Sequence, residues 1–346
     1  MPRKLSHQET VLDNEKKPAN GSSPRRGVGC LVMIMGIFAA LGFFGLLIAG
    51  ASGGLAGSGG QISELVETAE PGATQKIVLI DARGVMLTGS TTLGDPGITR
   101  PTLAMLDRAL EDESVAGVLL SLDTPGGSVT DADLIHQKIL RLRRANKRVI
   151  VHMGDLCASG GIYAAVAADQ VWAHPTTLTG SVGVIIQNIN VHKLLDKYGI
   201  EDHSIYAASD GNKALMSPTK PMNPEHRAIL QDVVNEMYVR FVDLVVERRK
   251  LDEGSDARWR DGRLLTATSA KESGLIDGVG YHEEVLRKLK AISGGSSFNV
   301  VRYEAIPSFW GMLSAQGGSS SPEARIISAL AGSARPMYLY SPSALR

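Results

Sequence analysis

Short, unbroken apolar runs alternate with helical patterns along the middle of this chain, and that alternation leaves few folds open to it. Lys76–Asp81, Val115–Leu122, Arg148–Met153 and Val171–Ala173 read as strands buried on both faces. Between them, Leu103, Leu106 and Leu110 predict a helix over Thr102–Glu113. Leu134, Ile135, Ile139 and Leu142 predict an amphipathic helix over Asp131–Asn146 with a basic outer face. Strands apolar on both sides belong to parallel sheets, whose neighbours are joined by crossover helices. The expectation is an α/β fold with a mainly parallel sheet built from βαβ units. Further on, the spacing predicts a short helix over Val191–Tyr198, ended by Gly199, and a strand over Ile205–Ala208. Asn223-Pro224 forms a cap and first turn for a helix carrying Ile229, Val233, Met237, Phe241 and Leu244 to near Lys250.

Ahead of this region lies a different kind of sequence. Residues 1–27 are polar, charged and broken by Pro18, Gly21 and Pro24, which predicts a disordered tail. Val28–Ala51 carries no charge and is long enough to span about 30 Å of hydrocarbon at about 1.5 Å per residue. Its length exceeds a signal-peptide core; Ala49-Gly50-Ala51 offers the small residues of a cleavage site, but a retained anchor is the expectation. Arg25 and Arg26 abut the run, whereas the first charge beyond it is Glu64, so the tail stays in the cytoplasm and the rest crosses. The Gly- and Ser-rich residues 52–75 read as a flexible tether, 76–292 as the folded domain, and 293–346 as a C-terminal extension. Near its end the extension holds a short apolar segment, Met337-Tyr338-Leu339-Tyr340.

Composition excludes several function classes. The 36 basic and 36 acidic residues cancel, which gives nucleic acid nothing to bind. The two cysteines, Cys30 and Cys157, are split between the apolar run and the folded region, so no disulfide is expected. No His/Cys/Asp/Glu cluster has ligand spacing, and neither metal nor cofactor is expected.

Two glycine turns stand where strands end. Asp123-Thr124-Pro125-Gly126-Gly127 follows one apolar strand, and Ala158-Ser159-Gly160-Gly161 follows another and opens a helix. Ser159 is placed as a nucleophile, and the glycines leave first-turn N–H groups free to face an oxyanion. The second donor comes from Gly126 or Gly127. No GxSxG elbow surrounds the serine, and the histidines beyond the apolar run each sit singly. A lysine is the alternative base. Bringing a lysine from about 10.4 to near neutrality takes roughly 5 kcal/mol of differential solvation, so such a base must be desolvated. Lys213, between Asp210-Gly211-Asn212 and Ala214-Leu215-Met216, fits that role in context but is not singled out by the residues alone.

Together these motifs, with Thr179-Gly180-Ser181-Val182-Gly183-Val184, Gly211-Asn212-Lys213 with Met216-Ser217, and Asp261-Gly262-Arg263 through Gly274-Leu275-Ile276-Asp277, resemble the signal peptide peptidase A family in its short form. The resemblance covers roughly Ile77–Ile292; Thr124 stands where serine is commoner in the family. It implies a Clp protease/crotonase-like spiral of βαβ units, preceded here by one N-terminal transmembrane helix. It also implies a Ser-Lys endopeptidase that degrades leftover signal peptides at the outer face of the cytoplasmic membrane. Ser159 would then be the nucleophile, Lys213 its general base and Ser181 the partner of the lysine amine. Gly127 and Gly160 would supply the oxyanion hole. Ring-like self-association, with the dyad completed across a subunit interface, is a further implication. An acyl-CoA enzyme using only the glycine donors and an inert scaffold ring are the competing readings on the same fold. The first predicts CoA thioester binding and no covalent serine adduct; the second predicts an inert site, which labelling by a serine-directed fluorophosphonate would discriminate.

Overall fold

The computed structural model describes residues 62–89, 96–207, 212–251, 257–306 and 337–339. The residues through 61, including the apolar run, the charged tail and the first part of the expected tether (52–61), lie outside it. Among the described residues, no helix is long and apolar enough to cross a membrane.

A mixed sheet forms the centre. Its strands are β1 (Ile62–Thr68), β2 (Gln75–Arg83), β3 (Val115–Thr124), β5 (Arg148–Ala158), β6 (Gln170–Ala173), β9 (Gly278–Val279) and β10 (Phe298–Ala305), ordered β1-β10-β2-β3-β5-β6-β9. From β10 to β9 every pairing is parallel, and β1 closes one edge antiparallel to β10. Alternate residues of each central strand feed two separate apolar layers, as a period of two demands. Val78, Ile80, Val118, Leu120, Val149 and Val151 pack under helices α1 (Thr99–Glu111), α2 (Val129–Arg144) and α3 (Gly160–Ala165). Ile77, Leu79, Leu119 and Ile150 face the other way, against Val285 and Leu289. This two-sided burial accounts for the unbroken apolar strands of the sequence and yields the expected α/β fold with a sheet parallel at its core.

Helix starts follow local chemistry. The Ser128 hydroxyl accepts the Asp131 N–H at 3.4 Å at the head of α2. The long helix Pro224–Arg249 begins where the Asn223 side chain accepts the His226 N–H at 2.7 Å, with proline in the first turn as expected.

Four expectations are corrected. The helix expected at Thr102 starts at Thr99, because Pro101 sits within the first turn, where its missing N–H has no partner to lose. Ile205–Ala208 does not form the expected strand: Ile205 is 97% exposed and the residues described there pair with no strand. The tether expected over 52–75 gives way at Ile62 to β1, an edge strand whose alternation is hidden by Glu64 and Glu67. Nor is 293–346 a mere appendage. Phe298–Ala305 is β10, buried between β1 and β2, and Met337–Leu339 is a strand, β11, set against the glycine turn that follows β3.

Candidate active site

The site lies where β3 and β5 end, the usual position for ligand groups in a parallel sheet. β5 is the reason a turn can open there. It pairs with β6 at Ile150–Met153, bends through Gly154 and Asp155, then pairs at Leu156–Ala158 with β7 (Leu178–Gly180), which is itself antiparallel to β8 (Leu264–Thr266). The Asp123 carboxylate accepts the Leu156 N–H at 3.2 Å across this bend. Thr179 donates its hydroxyl to the Cys157 carbonyl at 2.6 Å, pinning the last turn before Ser159.

Ser159 follows in a strained backbone conformation, φ 52° and ψ −110°. Such a conformation costs of order 1–3 kcal/mol and persists only where surrounding bonds over-determine it. Here the Ser159 N–H donates to the Gly180 carbonyl at 2.8 Å, and the Ser159 carbonyl accepts the Tyr163 N–H at 3.1 Å. The side chain is 1% exposed, and its hydroxyl reaches the Gly183 carbonyl at 3.4 Å, a weak bond that holds it lightly. Gly161 must lack a side chain, since a Cβ there would fall 2.9 Å from both Cys157 Sγ and Thr124 Cγ2. Cys157 itself is fully buried, which pushes its thiol up and leaves it a packing residue.

The first glycine turn faces this serine. Gly126 has φ 96°, and its N–H donates to the Thr124 hydroxyl at 3.0 Å, so threonine serves in the loop where serine is commoner. A Cβ on Gly126 would fall 2.8 Å from the Gly160 nitrogen and 2.0 Å from the Tyr338 carbonyl oxygen. Gly126–Ser128 forms the short strand β4, held from behind as Met86 N–H donates to the Gly126 carbonyl at 2.8 Å and Ser128 N–H to the Met86 carbonyl at 2.9 Å. Gly127 fits only without a side chain, because a Cβ would lie 2.2 Å from the Met86 carbonyl oxygen. The structure thus brings Ser159, Gly160 and the Gly126-Gly127 turn together.

Ser181 belongs to the same edge. The Ala158↔Gly180 register sets it one step beyond the last pair, beside Ser159. It also has a positive φ of 52°, is 8% exposed, and donates its N–H to the Arg263 carbonyl at 2.7 Å. Ser181, Gly183, Tyr238 and Asp261 line an open pocket of about 360 Å³.

Lys213 is not gathered in. It lies on an exposed 3₁₀ turn, Asn212–Ala214, next to residues outside the described set. Among the described residues, no hydrogen bond joins it to Ser159 or Ser181.

Sequence reasoning missed an aromatic cluster beside the turn. Tyr163, of helix α3, stacks on Tyr338 at 5.0 Å between ring centroids, and Phe241 closes on both rings at 5.2 and 4.6 Å. The Tyr163 hydroxyl donates to Asp133 at 2.8 Å and accepts from Arg240 at 3.2 Å. The apolar segment around Tyr338 and the stripe position of Phe241 were the available signals; nothing local linked them. Among the described residues, no group of three or more His, Cys, Asp or Glu is placed to hold a metal ion.

The pattern that defines peptidase family S49 matches residues 141–294. A protein of Enterococcus faecium named as a signal peptide peptidase, SppA, is 31% identical over 290 residues, covering 79% of this chain and 84% of its own length. Protease 4 of Salmonella typhi is 29% identical over 245 residues, 71% of this chain and 39% of that protein. The chain thus spans most of the first relative and well under half of the second. Among solved structures, a 1510-N membrane-bound stomatin-specific protease aligns over 66% of this chain and 98% of its own, with 17% identity and a TM-score of 0.40. The chain belongs to peptidase family S49 and is a serine protease.

Proposed function

We propose that this chain is a membrane-anchored serine endopeptidase that degrades cleaved signal peptides and similar unfolded apolar peptides. One observation carries the reading: Ser159 is held in a strained turn at the end of β5, facing a glycine turn at the end of β3. Ser159 Oγ attacks the scissile carbonyl while the Lys213 amine takes its proton. The N–H groups of Gly127 and Gly160 receive the oxyanion. Lys213 then passes the proton to the leaving amine, and water releases the acyl group from Ser159 by the reverse sequence. Ser181 orients the lysine amine.

A single chain leaves Lys213 exposed. A lysine base needs desolvation worth roughly 5 kcal/mol, and burial against a neighbouring copy is the means we propose. The long helix supports such an interface, because Ile229, Val233 and Met237 are only half-buried along the first part of its apolar stripe. A Clp-like ring then makes assembly a condition of activity. Val28–Ala51 is the anchor in this reading, with the N-terminus in the cytoplasm and the peptidase domain beyond the membrane.

Ser159→Ala and Lys213→Ala are each expected to lower cleavage of an unstructured apolar peptide by about 10³-fold or more. Turnover unaltered in either variant rejects the dyad.

A further inference from the structure

Each proposed oxyanion donor adjoins the head of a helix. Gly127 is followed at Ser128 by α2, and Gly160 is the first residue of α3, whose cap position is Ser159. The two helices lie directly against each other: a Cβ on Gly160 would come within 3.3 Å of the Ala132 Cβ, one turn into α2. The gap between the two glycine turns therefore depends on how α2 and α3 are fastened together. A single residue of α3, Tyr163, receives both fastenings.

Helix α3 is cut short in a way that frees an acceptor. The Ala167 N–H, which would reach the Tyr163 carbonyl in a continuing helix, donates instead to the Ala164 carbonyl at 3.3 Å. His136 of α2 takes up the Tyr163 carbonyl through Nδ1 at 2.8 Å; a carbonyl only accepts, so the ring carries its proton on Nδ1. The imidazole is wholly buried, edge-on to the Tyr163 ring at 5.4 Å between centroids, and its Nε2 has no hydrogen-bond partner among the described residues. An apolar side chain would fill such a place without burying a polar ring. What the imidazole adds is that one bond.

Three residues earlier, on the same face of α2, Asp133 accepts the Tyr163 hydroxyl at 2.8 Å. Arg240 of the long helix joins both partners, donating Nε–H to the hydroxyl at 3.2 Å and Nη2–H to the carboxylate at 3.3 Å. Tyr163 in turn donates its own N–H to the Ser159 carbonyl at 3.1 Å. One buried residue thus ties α2, at two points, to the backbone of the proposed nucleophile.

We propose that His136, Asp133 and Tyr163 are positioning residues of the peptidase: they clamp α3 to α2 and so fix the separation of the Gly127 and Gly160 N–H groups and the aim of Ser159. The inference rests on the proteolytic reading of this site and adds residues that touch neither substrate nor the reacting atoms. A misplacement of about 1 Å at a catalytic centre costs on the order of 10²-fold in rate. Because the oxyanion forms only in the transition state, loosening the clamp falls on kcat and spares KM.

The test compares full chains carrying His136→Leu, His136→Asn and Tyr163→Phe with the parent on a fluorogenic peptide rich in leucine and alanine. His136→Leu deletes the donor, and it is expected to lower kcat about 100-fold with KM within about twofold. Asparagine can offer an amide N–H where Nδ1 stood, and His136→Asn is expected to bring kcat back to within about fivefold of the parent. Tyr163→Phe removes only the hydroxyl that Asp133 and Arg240 hold; it is expected to lower kcat about tenfold, and it decides the matter if His136→Leu fails to fold. A kcat unmoved by His136→Leu or by Tyr163→Phe overturns the clamp, as does equal loss with leucine and asparagine or a loss confined to KM. Amide hydrogen exchange across residues 159–165 needs no turnover, and His136→Leu is expected to speed it about tenfold or more. Faster exchange in a chain whose parent cuts no peptide upholds the clamp and removes the proteolytic reading. Unchanged exchange beside an active parent overturns the clamp alone.

Discussion

The two halves of the proposed site are built in opposite ways. Around Ser159, strand ends, side-chain hydroxyls and close-packed glycines fix the backbone from several directions, deep beside the core. Around Lys213, the chain makes a single exposed 3₁₀ turn, and the preceding Ile205 is almost bare to solvent. The proposed nucleophile is thus positioned by the fold of one chain, whereas no hydrogen bond among the described residues ties the proposed base to it. Such a division is what the proposed dependence on assembly requires of a serine protease whose fold is held by one chain.

The contrast is open to direct attack, beginning with stability. Leu119→Ala, in the fully buried second layer, is expected to lower unfolding free energy by about 2–5 kcal/mol. Ile205→Ala is expected to change it by no more than about 0.5 kcal/mol. Denaturant titration checks both, and a similar cost at the two positions would erase the distinction between frame and loop. A smaller effect of opposite sign is expected at the nucleophile. Ser159→Gly releases a positive-φ strain of about 1–3 kcal/mol against an entropic cost of about 0.5–1, for a net gain of about 1 kcal/mol, while turnover disappears. A variant that melts lower than the parent would show that the turn stores no strain.

The smallest expected effect is a pH slope on the frame. His136 is fully buried and donates Nδ1–H to the Tyr163 carbonyl at 2.8 Å, while its Nε2 has no hydrogen-bond partner among the described residues. Burial, opposed by that carbonyl, holds its pKa below the ordinary value, and His152 is shifted the same way for the same first cause. A histidine depressed in the folded state contributes stability above about pH 6.5 that fades as pH falls through its lowered value. Melting temperature is therefore expected to drop between pH 7 and 5, and less steeply in His136→Gln. Parallel slopes in the two proteins would remove His136 from the account.

Much of the fold was legible because burial on both faces leaves a plain mark in the sequence. Val115–Leu122 and the Asn223-Pro224 cap needed no tertiary knowledge, and the two glycine turns announced where strands end. What stayed hidden was long-range. β5 reads as ending at Met153, since Gly154 and Asp155 interrupt its apolar run; only the exchange of β6 for β7 as its partner carries it to Ala158. Ile205–Ala208 has strand composition, but its described residues pair with no described strand. β1 and β11 are edge pieces whose partners lie far away in sequence, and so the extension read as lying outside the peptidase domain holds β10 and the strand β11 beside β4.

The most direct measurement mixes two inactive proteins. Full chains carrying Ser159→Ala and Lys213→Ala are combined in equal amounts, dissociated and allowed to reassemble, and peptide cleavage is followed. A dyad completed between copies predicts that activity returns to roughly a quarter of the parent level, because each intact serine then meets an intact neighbouring lysine in about half of its contacts. A mixture as inactive as its components, with reassembly verified by mass, would contradict it.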